Sequence, residues 1–548
     1  MKRKFLKYFF LFSINLALIG APTTVPNTAV NPAAIIMNQQ EQQLKQIEAQ
    51  RKILEEMSQN REGIKSQESK SLDENKGKGI KFKLKKIQFS KKSEVLSEEE
   101  LQEIVSKYEN RDITVGDLYS IVNQINDLYH KKGYIVCKAG LPPQTISKGV
   151  VKIVLVEGKT GNVIIKGNTS TRESYIKKRI NLRENNISNL DELNESLIWF
   201  NGTNDVQIRI QLKAGEEVGT TDYILTVYEP KRHQYSLFSD NSGSESSGKY
   251  RGGISYTNNS LFGFRDQLSI TGLKSEGSDS GSIMYTVPVN KFGTKLQLSY
   301  SKNTMEIVNG DLSEIDITGD SSSYGIAITH PFVITPRNKV EGRIEWNKQK
   351  SSTDFMDMPW VDDTIQHYLA GLTITTNFSN GVAYQNHTFT RGKWEDISGE
   401  IDYYSKYNFI GIYQLSLLKN NIFSIRANAQ RAYDDYLPSA DQFYVGGSYS
   451  VRGFAESYLG GDNGASINIE YEVPIINGIS SFVFLDGGFV TGENSFDDND
   501  IASAGFGLKL SPIKGFYSQV TAGFPFKHEY NEQEVDKVRI HYSVSYIL

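Results

Sequence analysis

The sequence predicts a β-barrel membrane protein of about 16 antiparallel strands, preceded by two small α+β modules and an N-terminal helix. Three observations carry that reading. The C-terminal run "VRIHYSVSYIL" alternates apolar Val538, Ile540, Tyr542, Val544, Tyr546 and Leu548 with mostly polar Arg539, His541, Ser543, Ser545 and Ile547. The order strand, helices, strand, strand occurs twice between residues 82 and 229, and no helical period follows Pro230. The composition, with 30 Tyr, 27 Phe, 46 Gly and only 14 Pro, suits extended strands, while 23% charged residues argue against a bundle of membrane helices.

Taken in chain order, Lys2, Arg3, Lys4 and Lys7 precede an apolar run from Tyr8 to Ile19, closed by Gly20 and Ala21. A basic start, a short apolar stretch and small residues form a secretory signal, assigned to residues 1–21. The run is shorter than the roughly 20 residues a spanning helix requires. Residues 38–60, "NQQEQQLKQIEAQRKILEEMSQN", place Leu44, Ile47, Leu54 and Met57 near one face of a polar helix. The Gly, Ser and Lys content of residues 61–80 predicts a flexible linker.

The first module, 81–158, has a capping box at Ser97 and Glu100 and a looser one at Thr114 and Asp117. Leu118, Ile121, Val122, Ile125 and Leu128 then recur at helical spacing until Gly133, and "YIVCKA" and "VVKIVLVEG" read as strands. The second module, 159–230, repeats the order: "GNVIIKGN" as a strand, Asn189 and Glu192 opening a helix with Leu193, Leu197 and Ile198, and the strands "VQIRIQLKAG" and "DYILTVYE". Cys137, the one cysteine, is read as a half-buried strand residue. The basic stretch 82–92 is read as a solvated edge strand.

The tract 231–548 accommodates about 16 strands at roughly 10 residues each plus turns. In "SINIEYEV", Ile467, Ile469, Tyr471 and Val473 oppose Ser466, Asn468, Glu470 and Glu472. Carboxylates at every second position are costly in the dry core of a secreted sandwich but belong on a wet lumen wall. The acidic "FDDND" at 496–500 lacks the spacing of a calcium loop and reads as an outer loop.

Several function classes fall away. A net charge of −4 carries no field that implies nucleic acid. No G-x-S-x-G, H-E-x-x-H, phosphate-binding loop or Cys/His cluster is present, so no catalytic residue, metal or cofactor is assigned.

Specific motifs then narrow the reading. Leu141, Pro142, Pro143 and Gln144 in "LPPQTISKGVVKIVLVEG", followed by "IIKGN" and by "LKAGEEVGTTDYILTVYEP" running into the barrel, resemble the outer-membrane transporters of two-partner secretion. These are the haemolysin secretion and activation type, within the superfamily of barrel-assembly proteins. "VRGF", Val451 to Phe454, is similar to the loop motif of that superfamily, and "FLDGG" from Phe484 to its F-x-D-x-G strand motif. Strand parity places Phe484, Asp486 and Gly488 on one face, opposite Val483, Leu485 and Phe489.

The resemblance implies two periplasmic POTRA modules, a plug-like role for the N-terminal helix, and a loop folded into the barrel so that Arg452 pairs with Asp486. It also implies a large secreted partner, haemolysin-like or adhesin-like, exported through the barrel without ATP. Outer-membrane lipid and, during biogenesis, the barrel-assembly machinery are the other expected partners. The chain ends on Leu548 where such barrels usually end on an aromatic, so recognition by that machinery rests on Tyr542, Tyr546 and the alternation. The same loop motif leaves a barrel-assembly factor as the alternative, and two modules with "LPPQ" weigh against it. A passive porin or surface adhesin gives no use to the repeated modules.

Overall fold

The computed structural model describes residues 31–58, 72–73, 81–217, 219–310, 312–434, 436–492, 499–530 and 533–548. The expected signal segment 1–21, nearly all of the linker and most of the acidic stretch at 496–500 lie outside them. Two compact units result, one formed by residues 60–229 and the other by the N-terminal segment with residues 230–548.

The N-terminal helix α1 spans Pro32–Ser58 and so begins six residues before the start read from the sequence. The missed signal is Asn31-Pro32. Asn31 Oδ1 accepts from Ala34 N at 3.1 Å, and proline fits the first helical position because its absent N–H has no partner to lose. Of the four stripe residues, Ile47 is buried; the side chains of Leu44, Leu54 and Met57 lie outside the description.

The 60–229 unit begins with β1 (Lys81–Lys83), β2 (Lys86–Phe89), α2 (Glu98–Val105), β3 (Asp112–Thr114), α3 (Val115–Lys131), β4 (Lys138–Gly140) and β5 (Val150–Val156). The repeat follows as β6 (Lys159–Lys166), α4 (Glu173–Lys177), α5 (Leu190–Thr203), β7 (Gln207–Ala214) and β8 (Thr220–Tyr228). The sheets have equivalent orders, β2-β5-β4 and β6-β8-β7, each with one parallel and one antiparallel pair. Both capping boxes form, at Ser97/Glu100 and Thr114/Asp117. The periodic residues Leu118, Ile121, Val122 and Ile125 lie in the first core, and Leu193, Leu197, Tyr223 and Leu225 in the second.

One local reading needs correction. "YIVCKA" is strand only from Lys138; before it, Cys137 N donates to Tyr134 O at 3.0 Å in a turn. Cys137 is fully buried in the first core rather than half-buried on a strand, because that turn points its thiol at the sheet.

The barrel strands are β9 (His233–Asp240), β10 (Arg251–Asn258), β11 (Gln267–Lys274), β12 (Ser278–Pro288), β13 (Lys295–Glu306), β14 (Ile317–Ile334), β15 (Asn338–Phe355) and β16 (Met358–Phe378). They continue as β17 (Gly381–Glu395), β18 (Ile401–Ser416) and β19 (Ile422–Ala432). After the short pair β20 (Phe443–Val445) and β21 (Leu459–Gly461) come β22 (Asn463–Ile476), β23 (Ile479–Thr491), β24 (Asp500–Leu510) and β25 (Phe516–Pro525). A second short pair, β26 (Glu529–Tyr530) and β27 (Gln533–Glu534), precedes the closing strand β28 (Arg539–Ile547). Leaving out the two short pairs, 16 antiparallel strands close on themselves, with β28 pairing back to β9.

Closure leaves no unpaired edge, the condition for a sheet to cross lipid. The outward face is apolar: Leu237, Ile254, Ile326, Ile344, Val483 and Phe506 are each more than two-fifths exposed. The alternation in β28 sends Arg539, His541 and Ser545 inward and leaves Ile540 and Tyr546 exposed. Among the described residues no helix is long and apolar enough to cross a membrane.

Helix α1 lies inside this barrel. Ala33, Ile35 and Ile36 pack on Phe238, Leu273, Met305 and Ile317, while Ala49 and Ile53 meet Val382, Tyr384 and Ile412. The helix thus runs from the rim where β15 ends to the rim where β17 begins. Gly319 makes the close approach possible, since a Cβ there would sit 2.8 Å from Ala33 Cβ.

Candidate functional site

The segment between β19 and β22 folds back into the lumen and carries the "VRGF" run. Two features shape it. Gly446, Gly447 and Gly453 have φ of +112°, +96° and +101°, a region β-carbons disfavour, so these glycines permit the turns. Ser448 donates from both N and Oγ to Glu456 Oε1, each at 2.8 Å, and closes the loop on itself.

Arg452 projects from this clasp to the barrel wall. It is 1% exposed, as is Asp486 on β23. Arg452 Nε donates to Asp486 Oδ2 at 2.7 Å, Nη2 to Oδ1 at 2.9 Å, and the backbone N to Oδ2 at 3.0 Å. The planar guanidinium matches the carboxylate fork in a way an ammonium cannot. Its remaining arm, Nη1, reaches Glu470 Oε2 on β22 at 2.8 Å. Lys509 Nζ on β24 then bridges Glu470 and Glu472 at 2.6 and 2.7 Å, so the buried charges alternate in sign across three adjacent strands. Alternation of this kind offsets the desolvation that an isolated pair would suffer.

Each other residue of the two motifs has a steric reason. The Phe484 ring centroid is 3.6 Å from Arg452 Cζ, a cation–π contact on the face the carboxylates leave open. At Gly488 a Cβ would meet Val451 Cγ2 at 3.1 Å and Val445 Cγ1 at 3.2 Å, so glycine admits the loop. Gly453 lies against Gly523 of β25, and its N donates to His541 Nε2 at 3.2 Å. Val451 and Phe454 are fully buried with Val445, Leu459, Val490 and Tyr530. Ser503 donates to the Arg452 carbonyl and Asn468 to that of Ser450, which fixes the backbone on both sides.

A second anchor holds the start of the same segment. Asp441 accepts from Lys406 Nζ at 2.6 Å, from His367 Nε2 at 2.7 Å and from the Tyr404 hydroxyl. Helix α1 grips the residues beside it: Asn38 Nδ2 donates to the Gln442 carbonyl at 2.7 Å, and Gln42 Nε2 to the same oxygen at 3.2 Å. At the helix start, Asn31 Nδ2 donates to Asp363 at 2.7 Å and Thr353 Oγ1 donates to Asn31 Oδ1 at 3.0 Å. Between helix and loop an internal space of about 110 Å³ is lined by Gln50, Ile53, Arg426, Arg452, Glu470 and Lys509.

The structure therefore brings together Val451, Arg452, Gly453, Phe454, Phe484, Asp486 and Gly488. Sequence reading flagged Glu470 and Glu472 only as a polar face and missed Lys509, Asp441 and Glu456; alternation on β22 and β24 was the available signal for the first three. The "LPPQ" residues lie in the other unit. Leu141 packs on the first core, and the Gln144 side-chain amide pairs with Lys152, donating to its O at 2.7 Å and accepting from its N at 2.8 Å. Among the described residues no cluster of His, Cys, Asp and Glu is arranged to hold a metal ion.

Comparison with known proteins decides the family. The model for haemolysin secretion/activation proteins of the ShlB/FhaC/HecB type matches residues 219–510, more than half of the chain. The chain belongs to this family. A second model, for POTRA domains of the ShlB type, matches residues 82–158, which makes the first module a POTRA domain. Members of the family are outer-membrane barrels of two-partner secretion, and this family member lies in the bacterial outer membrane with its POTRA region in the periplasm. The chain is 25% identical over 487 residues to the heme/hemopexin transporter protein HuxB of Haemophilus influenzae, covering 83% of this chain and 86% of the relative. It is 22% identical over 546 residues to the outer membrane transporter CdiB of Dickeya dadantii, covering 93% and 94%. In fold it resembles CdiB from Escherichia coli, with a TM-score of 0.68 at 20% identity over 95% of this chain and 100% of that structure.

Proposed function

We propose that this family member exports one large β-rich partner protein, which its periplasmic modules recognise and its barrel passes outward in extended form. The observation that supports this best is the loop between β19 and β22, drawn into the lumen and held by Arg452 on Asp486. A passive pore has no need of such a device. The Arg452–Asp486 pair acts as a latch that keeps the loop in its transport-competent position, and α1 closes the resting pore.

The two modules, the second repeating the sheet order of the POTRA domain, catch the unfolded client by strand addition, in which backbone hydrogen bonds tolerate many side chains. Folding of the client outside the cell supplies direction, because no nucleotide is available there. HuxB is named for heme and hemopexin; the client of this family member is described by its chemistry alone, a long exoprotein that stays extended until it emerges.

The test is the amount of a co-produced exoprotein in the medium with the wild-type chain and with Arg452→Ala, at equal barrel levels. Release by the wild type and retention by the variant support export and latch together. Release without the chain, combined with depletion of other outer-membrane barrels in its absence, moves the function to barrel assembly.

A further inference from the structure

The second module covers one face of its sheet and leaves the other bare. Tyr223, Leu225 and Val227 of β8 turn into the core, so strand alternation turns Ile224, Thr226 and Tyr228 outward. Register sets Ile164 and Lys166 of β6 and Arg209, Gln211 and Lys213 of β7 on the same outward face. Lys166 and Arg209 flank Thr226, and Ile164 and Gln211 flank Ile224. Ile164 is 37% exposed and Tyr228 50%, so apolar surface is offered to solvent beside these cations.

The charge of this face has one sign. The Lys166 and Lys213 side chains make no hydrogen bond or ion pair among the described residues, and Arg209 holds its Cζ 5.1 Å from the centroid of the Tyr228 ring. The carboxylate on the face, Asp222, is buried and accepts from Asn162 N at 2.7 Å, while Glu216 and Glu217 belong to the turn beyond β7. Elsewhere in the modules exposed lysines do find acids, as Lys177 finds Glu173 and Lys107 finds Glu103. The first module repeats the arrangement. Its core takes Val151, Ile153 and Leu155 of β5, and its outward face carries Lys86, Lys138 and Lys152 beside Val150, Val154 and Val156, with no carboxylate on those strands.

A partner with anionic charge above and an apolar layer beneath fits both features. The exposed apolar groups are single and spaced by cations over a sheet, not gathered into the packed aromatic anchor of a protein hot spot. Long cationic stems and a tyrosine are the side chains that settle at a headgroup layer, charge in the wet zone and apolar part below it. The chain itself also leads to the bilayer. Strand β9, the first to cross, starts at His233, five residues after Tyr228, and Lys231 and Arg232 between them add two cations. We infer that the outward sheet face of the second module docks on anionic phospholipid headgroups of the periplasmic leaflet. Lys166, Arg209 and Lys213 attract the phosphates, and Ile164 and Tyr228 enter the layer below them. The inference depends on neither the client nor the latch.

The test uses the full-length chain in nanodiscs of phosphatidylcholine alone or mixed with phosphatidylglycerol, each with a headgroup spin-labelled lipid as quencher. Ile164→Cys takes a maleimide fluorophore, while Cys137, buried in the first core, stays unlabelled. Nitroxide quenching at 164 is expected to be at least roughly threefold stronger with the anionic lipid and to fade in high salt. A fluorophore at Glu195→Cys, exposed on α5, is expected to stay unquenched in both. In the Ile164→Cys chain, Lys166→Glu/Arg209→Glu/Lys213→Glu is expected to bring quenching down to the phosphatidylcholine level. Lys166→Gln/Lys213→Gln, which removes no side-chain bond of the described module, is expected to weaken it and decides the matter if trypsin sensitivity shows the triple variant misfolded.

Equal quenching in the two lipids, or quenching at 195 in place of 164, overturns the docking face. Anionic-lipid quenching that survives both sets of charge changes overturns the role of the cations. If 164 stays unquenched and the charge variants lose export of a co-produced exoprotein, the face is a protein surface, which overturns lipid docking and leaves the export reading standing.

Discussion

Arg452 and Asp486, 34 residues apart in sequence, share three hydrogen bonds between a loop and a strand that meet only inside the closed barrel. Removing one member leaves the other charge buried without its partner, at a cost of about 3–5 kcal/mol. Asp486→Asn is therefore expected to free the loop from the wall. Export falls at least roughly tenfold on this scale, with the barrel still present in the membrane. The measurement is protease cleavage within 446–458 together with client in the medium; an uncleaved loop with full export rejects the latch.

Phe484 offers its ring to the same guanidinium at 3.6 Å. Phe484→Leu keeps the apolar volume and removes the π-face, a loss of about 1–2 kcal/mol for a desolvated contact. Its export defect should be milder than that of Asp486→Asn. A defect of equal size in the two variants would show that packing, not the cation, is what Phe484 supplies.

At the far end of the lumen Asn31 both caps α1 and ties it to Asp363 and Thr353. Asn31→Ala loses the cap, about 1 kcal/mol, and the side-chain bonds to Asp363, Thr353 and the Ser351 carbonyl as well. Single-channel recordings in planar bilayers should show more frequent opening, by a factor of roughly five or more. Unchanged opening would remove α1 from the role of closing the pore.

In the second module Glu229 is pushed up by partial burial but held down more strongly by Thr171, Ser170 and Thr169, which place its pKa at about 2 against an ordinary 4.5. Ser170 donates to it from N at 2.8 Å and from Oγ at 2.7 Å, and Thr169 from N at 3.2 Å and from Oγ1 at 2.8 Å. A depressed carboxylate contributes stability above its unfolded value and loses it as pH falls, here between about 4.5 and about 2. Hydrogen exchange at residues 169–171 should quicken across that window in the wild type. Glu229→Gln should show little pH dependence there.

Burial pushes the Cys137 thiol up to about 11. Since the thiolate is the reactive form, maleimide should leave the folded chain unlabelled at pH 8 and label it once denatured. Rapid native labelling would mean that the first module opens locally.

Element types were legible in the sequence where one pattern sufficed. Alternation in β22 and β28 follows from a sheet with lipid on one side and water on the other, and Ser97/Glu100 follows from the donors a helix start leaves open. Asp486 and Arg452 were legible because strand parity and a known motif agreed on them. Where two local signals competed, the reading failed: Asn31-Pro32 was lost within a run that resembles a spacer, and β-branched Ile135 and Val136 concealed the turn before β4.

The sequence by itself determined the wall, because periodicity of 2 is a local property and the lipid and water faces impose it residue by residue. Tertiary structure alone decided what stands inside the wall and at the sheet edges. Lys509 finds Glu470 and Glu472 across neighbouring strands, Asp441 gathers His367, Tyr404 and Lys406, and Asn201 covers Ile208. Each is a polar group in a place that water reaches poorly, where desolvation makes a missing partner costly. Barrel closure, loop folding and the reach of a single side chain set those partners, and none of these leaves a repeating mark in the sequence.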